Sequence, residues 1–506
     1  MFSRFRRHAM MKADLLLTLV TIVFLVLLVL AGGTGALTHI GATSSTTTGT
    51  PFSRPPPAAT AAERLPNSGE PSCNYTISQQ GTALVATGHS GSGTKTAASP
   101  DMGAFLNTLL ASHETLCVAA GTYAVNTEIQ ISHLEGVRLN LVPGAIMEAE
   151  SGNRLLLVIF SPDTVIRGGE WVGPATGVGA GIRILYASNN TVVENADISR
   201  AGWDGVFVYE YIRPSFNVSI VDNIIHDNGR YGVQVYSKTP YGMTGTVISG
   251  NVVLDNAVGG IYTNGVADVT VIQNVVRNTV GNGPGDIGIG VTNAYNDTVT
   301  LNQVDHMAWF GIQAFYNNYT VISDNISKFN AGGWDQSGIT NDHSSYSILA
   351  GNVVESNGKF GIYVERSWNV TVSGNVANDN LGYGIGFYHG TMSTTGRSAI
   401  VGNACSFNSL GGIVLNSAVE NVISMNRCSD NSGAGILLYN DPGQAGSTGN
   451  VISDNWLGTE GGSPQAQMFG IRETNDSSRN TLISNVMVND TVAATLILEP
   501  GASAPP

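Results

Sequence analysis

The sequence predicts an all-β chain wound as a parallel β-helix of about 12 coils, and three observations carry that prediction. First, one asparagine recurs at Asn195, Asn223, Asn251, Asn274, Asn302, Asn325, Asn352, Asn375, Asn403, Asn426, Asn455 and Asn485, at intervals of 23 to 30 residues. Second, a glycine followed by Ile or Val, such as Gly232, Gly260, Gly311, Gly361, Gly384 or Gly435, usually comes nine residues later. Third, the residues after that glycine alternate with period two, as in Val206/Val208, Ile362/Val364 and Ile436/Leu438. That is the pattern of a strand with one buried face. A coil this short has no room for a crossover helix, so its strands must stack on their equivalents in neighbouring coils. Each asparagine then lies above the next at about the 4.8 Å strand spacing, where side-chain amides can bond along the stack.

The chain begins with Arg4, Arg6, Arg7 and Lys12, followed by an apolar run from Leu15 to Ala31. Residues 1–37 therefore read as a signal anchor or a cleaved signal peptide, with the remainder exported and a single-pass membrane anchor expected at the N-terminus. Residues 38–72 are rich in Thr, Ser, Pro and Ala and read as a linker with too little apolar content for a core. Residues 73–112 form an N-terminal cap segment, in which Met102, Phe105, Leu106, Leu109 and Leu110 have helical spacing. A helix there would cover the open edge of the first coil. The coils fill 113–490, and 491–506 are a C-terminal tail.

Cys73 and Cys117 bracket the cap and could form a disulfide in an oxidising compartment. Cys405 and Cys428 hold matching places in consecutive repeats, so both a disulfide and two buried thiols fit them. Nine Asn-x-Ser/Thr matches, at Asn74, Asn189, Asn217, Asn296, Asn318, Asn325, Asn369, Asn475 and Asn489, fit a glycoprotein but arise readily in an Asn-rich chain. A net charge of -14 excludes nucleic acid as the natural partner, since phosphate binding needs clustered Lys and Arg.

The stacked landmarks resemble the right-handed parallel β-helix of the pectin lyase superfamily. They come closest to β-helix-repeat proteins of the NosD and carbohydrate-binding/sugar-hydrolase type. The resemblance implies a right-handed coil and a habit of handling long polysaccharides along the side of the helix. Calcium is a cofactor in part of that superfamily, but no ligand set in this sequence matches one. The polygalacturonase and mannuronate-epimerase signatures are likewise missing, with only NDHS at 341–344 and YHG at 388–390 echoing the former. A copper role by analogy with NosD lacks the Met/His/Cys cluster that would hold the metal.

Register also exposes the outward face. Asp342, Glu365 and Tyr388 hold the same position on three consecutive coils, with His343, Arg366 and His389 beside them. Two carboxylates on adjacent rungs would lie about 5 Å apart, near the spacing of retaining glycosidases, and would push one pKa up. Proton abstraction from a uronate could instead use His343, His389 or Tyr388 as base and Arg366 for the substrate carboxylate. Trp203, Tyr209, Phe315 and Tyr363 are placed to stack on sugar rings. These residues suggest an exported protein that binds, and at this cluster cleaves or epimerises, a polysaccharide or envelope glycan. The alternative is a non-catalytic stalk or adhesin whose outward charges are ordinary cross-strand pairs.

Overall fold

A computed structural model describes residues 72–497, apart from 90–92, 98, 151, 153, 178, 279–285, 331–335, 390–394, 442, 461–465 and 475–476. The expected signal segment and nearly all of the linker lie outside the described residues, as does the sequon at Asn475. Among the described residues no helix is long and apolar enough to cross a membrane.

The chain is a right-handed parallel β-solenoid of about 13 turns. Each typical coil gives one strand of about six residues to a long sheet, here called the broad sheet. Phe310–Phe315, Ser337–Asp342, Phe360–Glu365 and Tyr383–Tyr388 are successive rungs of it. The coil then turns and lays down two three-residue strands on either side of its ladder residue, as Val247–Ser249 and Val252–Leu254 do. Alternation holds throughout: in Val206–Glu210, for example, Val206 and Val208 are fully buried while Phe207 and Tyr209 are half-buried. The inward Ile, Val and Leu side chains form one continuous core along the solenoid.

From Asn223 to Asn485 the ladder is unbroken. Each Nδ2 donates to the next Oδ1 at 2.9–3.0 Å, as from Asn352 to Asn375 and from Asn375 to Asn403. Asn375 shows the full pattern. Its Nδ2 also reaches the Leu349 carbonyl one coil back, and its Oδ1 accepts the Asn352 backbone N–H. The residue just before each ladder position takes a left-handed conformation, such as Asp222 (φ 54), Gly351 (φ 65) or Gly374 (φ 62). Asn195 does not belong to this ladder. It sits at that left-handed position (φ 54) and is exposed, while Ala196 occupies the rung and donates its N–H to Asn223 Oδ1. The left-handed position suits Asn well, so an asparagine there mimics the repeat one residue early.

A second ladder, five residues after the first, explains the landmark glycines. Asn330, Asn357, Asn380, Asn408 and Asn431 pass hydrogen bonds from coil to coil. A Cβ on Gly361 would lie 2.8 Å from Asn380 Nδ2 and 2.6 Å from the Gly384 carbonyl oxygen. Only glycine lets the broad sheet pass this close to the amide column.

The early coils depart from the twelve-coil expectation because they carry no landmark asparagine. Their corner is made instead by Gly168 and Gly169 (φ 72 and 70), and the pairing of Arg138–Ala149 with Val165–Val172 shifts register between Leu141 and Ile146. The cap contains the expected helix, Met102–Leu109, N-capped by Asp101, whose carboxylate accepts from the Gly103 and Ala104 N–H groups. It also holds an antiparallel pair, Tyr75–Gln80 and Ala83–Gly88, absent from the sequence reading. Cys73 and Cys117 are joined, with their Cα atoms 5.8 Å apart. Cys405 and Cys428 are free thiols buried in the core. The stack continues through Ala493–Ile497, which pairs with Phe469–Glu473 beyond the expected boundary at 490.

Candidate functional site

Strand register builds the central column. Phe315, Asp342, Glu365, Tyr388, Asn416 and Tyr439 are directly paired from coil to coil, all on the outward face of the broad sheet. Immediately after the strand the chain bends. Tyr316, His343 and Arg366 take left-handed conformations there (φ 56, 50 and 49), which turns their side chains toward the column's edge.

Two carboxylates on adjacent rungs each lie against a basic side chain. His343 Nδ1 lies 2.8 Å from Asp342 Oδ1, and an Arg366 terminal nitrogen lies 2.5 Å from Glu365 Oε1. The Arg366 guanidinium also approaches His343 Nε2 at 3.4 Å, closing the group into one network. The Asp342 carboxyl is pushed up to about 6, first by burial and then by the negative charge of Glu365, while His343 and Arg366 act in the opposite direction. A carboxyl so placed holds its proton well above the usual range beside a second carboxylate. Burial and the neighbouring Tyr439 raise the Tyr388 phenol far above its ordinary value. That disfavours its phenolate and suits it to donating a hydrogen bond rather than abstracting a proton. His389 is held by Gln444, its Nε2 lying 2.9 Å from the amide oxygen.

Apart from the Asp342–His343 contact, Thr340 Oγ1, Arg366 Nε and His389 Nδ1 are buried in this small region without a hydrogen-bond partner. Buried polar groups are nearly always bonded, so these three atoms have hydrogen-bonding capacity left for water or a bound molecule.

The four residues assigned to sugar stacking separate into two groups. Phe315 meets the His343 ring edge-on, with centroids 5.7 Å apart, and Tyr363 packs 5.3 Å from Tyr388, so both border the column. Tyr209 lies four rungs away, about 19 Å along the axis. It is part of a separate aromatic run in which Trp203 contacts Phe207, Phe207 stacks on Tyr209, and Tyr209 stacks on Tyr236. Trp203 stands on the turn before its strand, beneath the Arg230 guanidinium at 4.8 Å.

The residues overlooked in the sequence come from turns. Tyr316 stacks on His343 at 4.4 Å, and its place in the same column as His343 and Arg366 was a usable signal. Gln444 and Asp441 reach back from a later turn, Asp441 accepting from Asn416 Nδ2 at 2.7 Å. No periodic pattern marks them. His226, the last residue of the strand Ile224–His226, is clasped by Asp197 and Asp227, whose hydrogen bonds raise it to about 9.

The family described as periplasmic copper-binding protein (NosD) matches residues 242–396 and 390–496, together just over half of the chain. The chain belongs to the NosD family. A right-handed beta helix region also matches over 158–276. No curated protein sequence matches. Among solved structures, the Dettilon tailspike protein is 15% identical with a TM-score of 0.43, covering 74% of this chain. This chain in turn spans 64% of the tailspike's length. A mannuronan C-5 epimerase A-module of Azotobacter vinelandii is 14% identical with a TM-score of 0.37, covering 80% of this chain and 93% of its own. DFA-IIIase from Arthrobacter chlorophenolicus A6 is 14% identical with a TM-score of 0.40, covering 68% and 84%.

The copper in the family's description does not fit the residues present. Among the described residues no three His, Cys, Asp or Glu side chains are grouped to hold a metal ion, and the two free thiols are sealed in the core.

Proposed function

We propose that this NosD-family chain works outside the cytoplasm, binding a polysaccharide along the broad sheet and transforming it by acid–base chemistry at the Asp342–Glu365–Tyr388 column. One observation carries the reading. Two carboxylates share adjacent rungs, and burial together with the charge of Glu365 pushes Asp342 up to about 6. In this role Asp342 is the proton donor and Glu365 the paired anion. Arg366 supplies positive charge for an anionic group or developing oxyanion, and His343 and His389 are the candidate bases. Tyr388 donates a hydrogen bond, and Phe315 and Tyr363 offer ring faces. An extracytoplasmic location is supported by the family's periplasmic description and by the Cys73–Cys117 disulfide, which persists in oxidising compartments.

The competing reading, a non-catalytic stalk or adhesin, draws on a specific feature too. Ion pairs occur elsewhere on the solenoid too, among them Lys328–Glu355 and Arg277–Asp305, the latter joined by His306 with its Nδ1 2.6 Å from Asp305 Oδ1. Glu365–Arg366 would then be one more of these. The test is a product screen on alginate, pectate, neutral glucans and envelope polysaccharides, reading new reducing ends, unsaturated products and epimerised residues. Wild type is expected to convert one of them and Glu365→Gln to lose conversion with its melting temperature nearly unchanged. A well-folded wild type that converts none favours the stalk.

A further inference from the structure

The column holds two histidines, and their neighbours give them different tasks. An arginine side chain can only donate, so the Arg366 contact at 3.4 Å makes His343 Nε2 an acceptor. The proton of a neutral His343 then sits on Nδ1, which lies 2.8 Å from Asp342 Oδ1. Both of its ring nitrogens are committed. His389 differs. An amide oxygen can only accept, so Gln444 Oε1 at 2.9 Å places the proton of a neutral His389 on Nε2. The lone pair is left on Nδ1, which is buried and has no hydrogen-bond partner. Of the four imidazole nitrogens in the column, that one is uncommitted.

Gln444 is itself anchored. It stands on the turn after the strand Ala434–Tyr439, two rungs beyond the strand Tyr383–Tyr388 that leads into His389. Asn440 Nδ2 donates to the Gln444 carbonyl at 2.7 Å, and the Gln444 N–H donates to the Asp441 carbonyl at 3.0 Å. The Asp441 carboxylate accepts in turn from Asn416 Nδ2 at 2.7 Å. Asn416 is buried on the rung between, where it pairs with Tyr388 and its backbone carbonyl accepts the His389 N–H at 3.0 Å. Asn416 thus ties the turn that carries Gln444 to the backbone that carries His389.

We infer that His389 is the base of the column, acting through Nδ1, and that Gln444 is the positioning residue that keeps its proton on Nε2. This assignment rests on the acid–base reading of the column and decides between its two candidate bases. His343 takes a proton only by giving up the Arg366 hydrogen bond and setting a second cation against the guanidinium. His389 takes one at Nδ1 with the bond to Gln444 intact, and Nε2–H goes on donating to the amide oxygen. In that step the proton leaves the substrate, or a water attacking it, for Nδ1. The bonding electron pair stays behind on the carbon or oxygen, and the imidazolium formed is held by Gln444 Oε1.

The test is long-range proton–nitrogen correlation NMR of the full chain labelled at histidine, at a pH well above the ordinary histidine range, with His343→Gln and His389→Gln giving the assignments. His389 is expected in the Nε2–H form and His343 in the Nδ1–H form, a result that needs no variant to fold. Gln444→Met, which removes the acceptor at similar volume, should broaden the His389 Nε2 proton by exchange and leave His343 unchanged. Gln444→Glu, which keeps an acceptor oxygen, should retain that proton. On a substrate that wild type converts, His389→Gln should lose about a hundredfold in kcat, more than His343→Gln, and Gln444→Met about tenfold with KM nearly unchanged. A His343 ring in the Nε2–H form, a His389 ring in the Nδ1–H form, or a Gln444→Met spectrum like that of wild type would each overturn the assignment. So would full activity of His389→Gln. A wild type that shows the expected tautomers and converts nothing would instead remove the acid–base reading, and the base role with it, while the proton placement stands.

Discussion

Asp297 occupies a column that the last coils fill with Asn421, Asn450 and Asn480, and replacing it with Asn should stabilise the protein in a pH-dependent way. Its Oδ1 accepts the Val269 backbone N–H at 3.0 Å, in the way Asn450 Oδ1 accepts from Asn421. Its Oδ2 has no partner and is fully enclosed. At the equivalent place Asn450 Nδ2 donates to the Ala418 carbonyl one coil back, so a carboxylate faces a site made for a donor. Burial, the largest cause, pushes the Asp297 carboxyl up from 3.8 to about 8. The sign follows from linkage. A carboxyl whose folded pKa is raised costs stability as pH rises from the unfolded pKa near 4 to the folded one near 8. The cost is about 1.6 kcal/mol at pH 5 and about 4 kcal/mol at pH 7, at 1.36 kcal/mol per pKa unit. Asp297→Asn removes the titration and supplies the missing donor. Urea unfolding of wild type and variant at pH 5 and pH 8 should show the variant more stable, with a gap that widens by at least 2 kcal/mol between the two conditions. A gap independent of pH, or a less stable variant at pH 8, would refute the reasoning.

The ladder assignments make a paired prediction. Asn375→Ala should cost about 2–4 kcal/mol by stranding the buried donors and acceptors bonded to it, whereas Asn195→Ala, on the exposed left-handed turn, should fall within about 1 kcal/mol. Equal losses in thermal or urea unfolding would overturn the one-residue correction at Asn195. Gly361→Ala drives a methyl into the Gly384 carbonyl and the Asn380 amide, and should cost about 1–3 kcal/mol or more in the same assay. A neutral result there would deny the second ladder its part in fixing the glycine.

The fold was legible because a solenoid writes the same constraint many times. The amide at each rung must be short enough to reach the next rung and still turn back to a carbonyl, which singles out Asn, and the close approach behind Gly361 singles out glycine. The sequence lost the thread where one residue type satisfies two neighbouring positions, as at Asn195, and where a corner is made without asparagine, as at Gly168 and Gly169. The column Asp342–Glu365–Tyr388 was legible for the same reason, since register alone aligns it. What register cannot supply is burial and side-chain reach. Nothing in the pattern foretold how deeply burial would suppress ionisation of the Tyr388 phenol, or that Gln444 would return from a later turn to hold His389.

The claim that the column is an acid–base pair is tested most directly by titrating Asp342 itself. Carboxyl-carbon NMR of aspartate-labelled protein, assigned with Asp342→Asn, should show its carboxyl titrating near pH 6. In Glu365→Gln it should titrate lower, because a repelling charge is gone and Arg366 is released toward it. A carboxyl titrating in the ordinary aspartate range in both proteins would contradict the account and leave the column as surface charge.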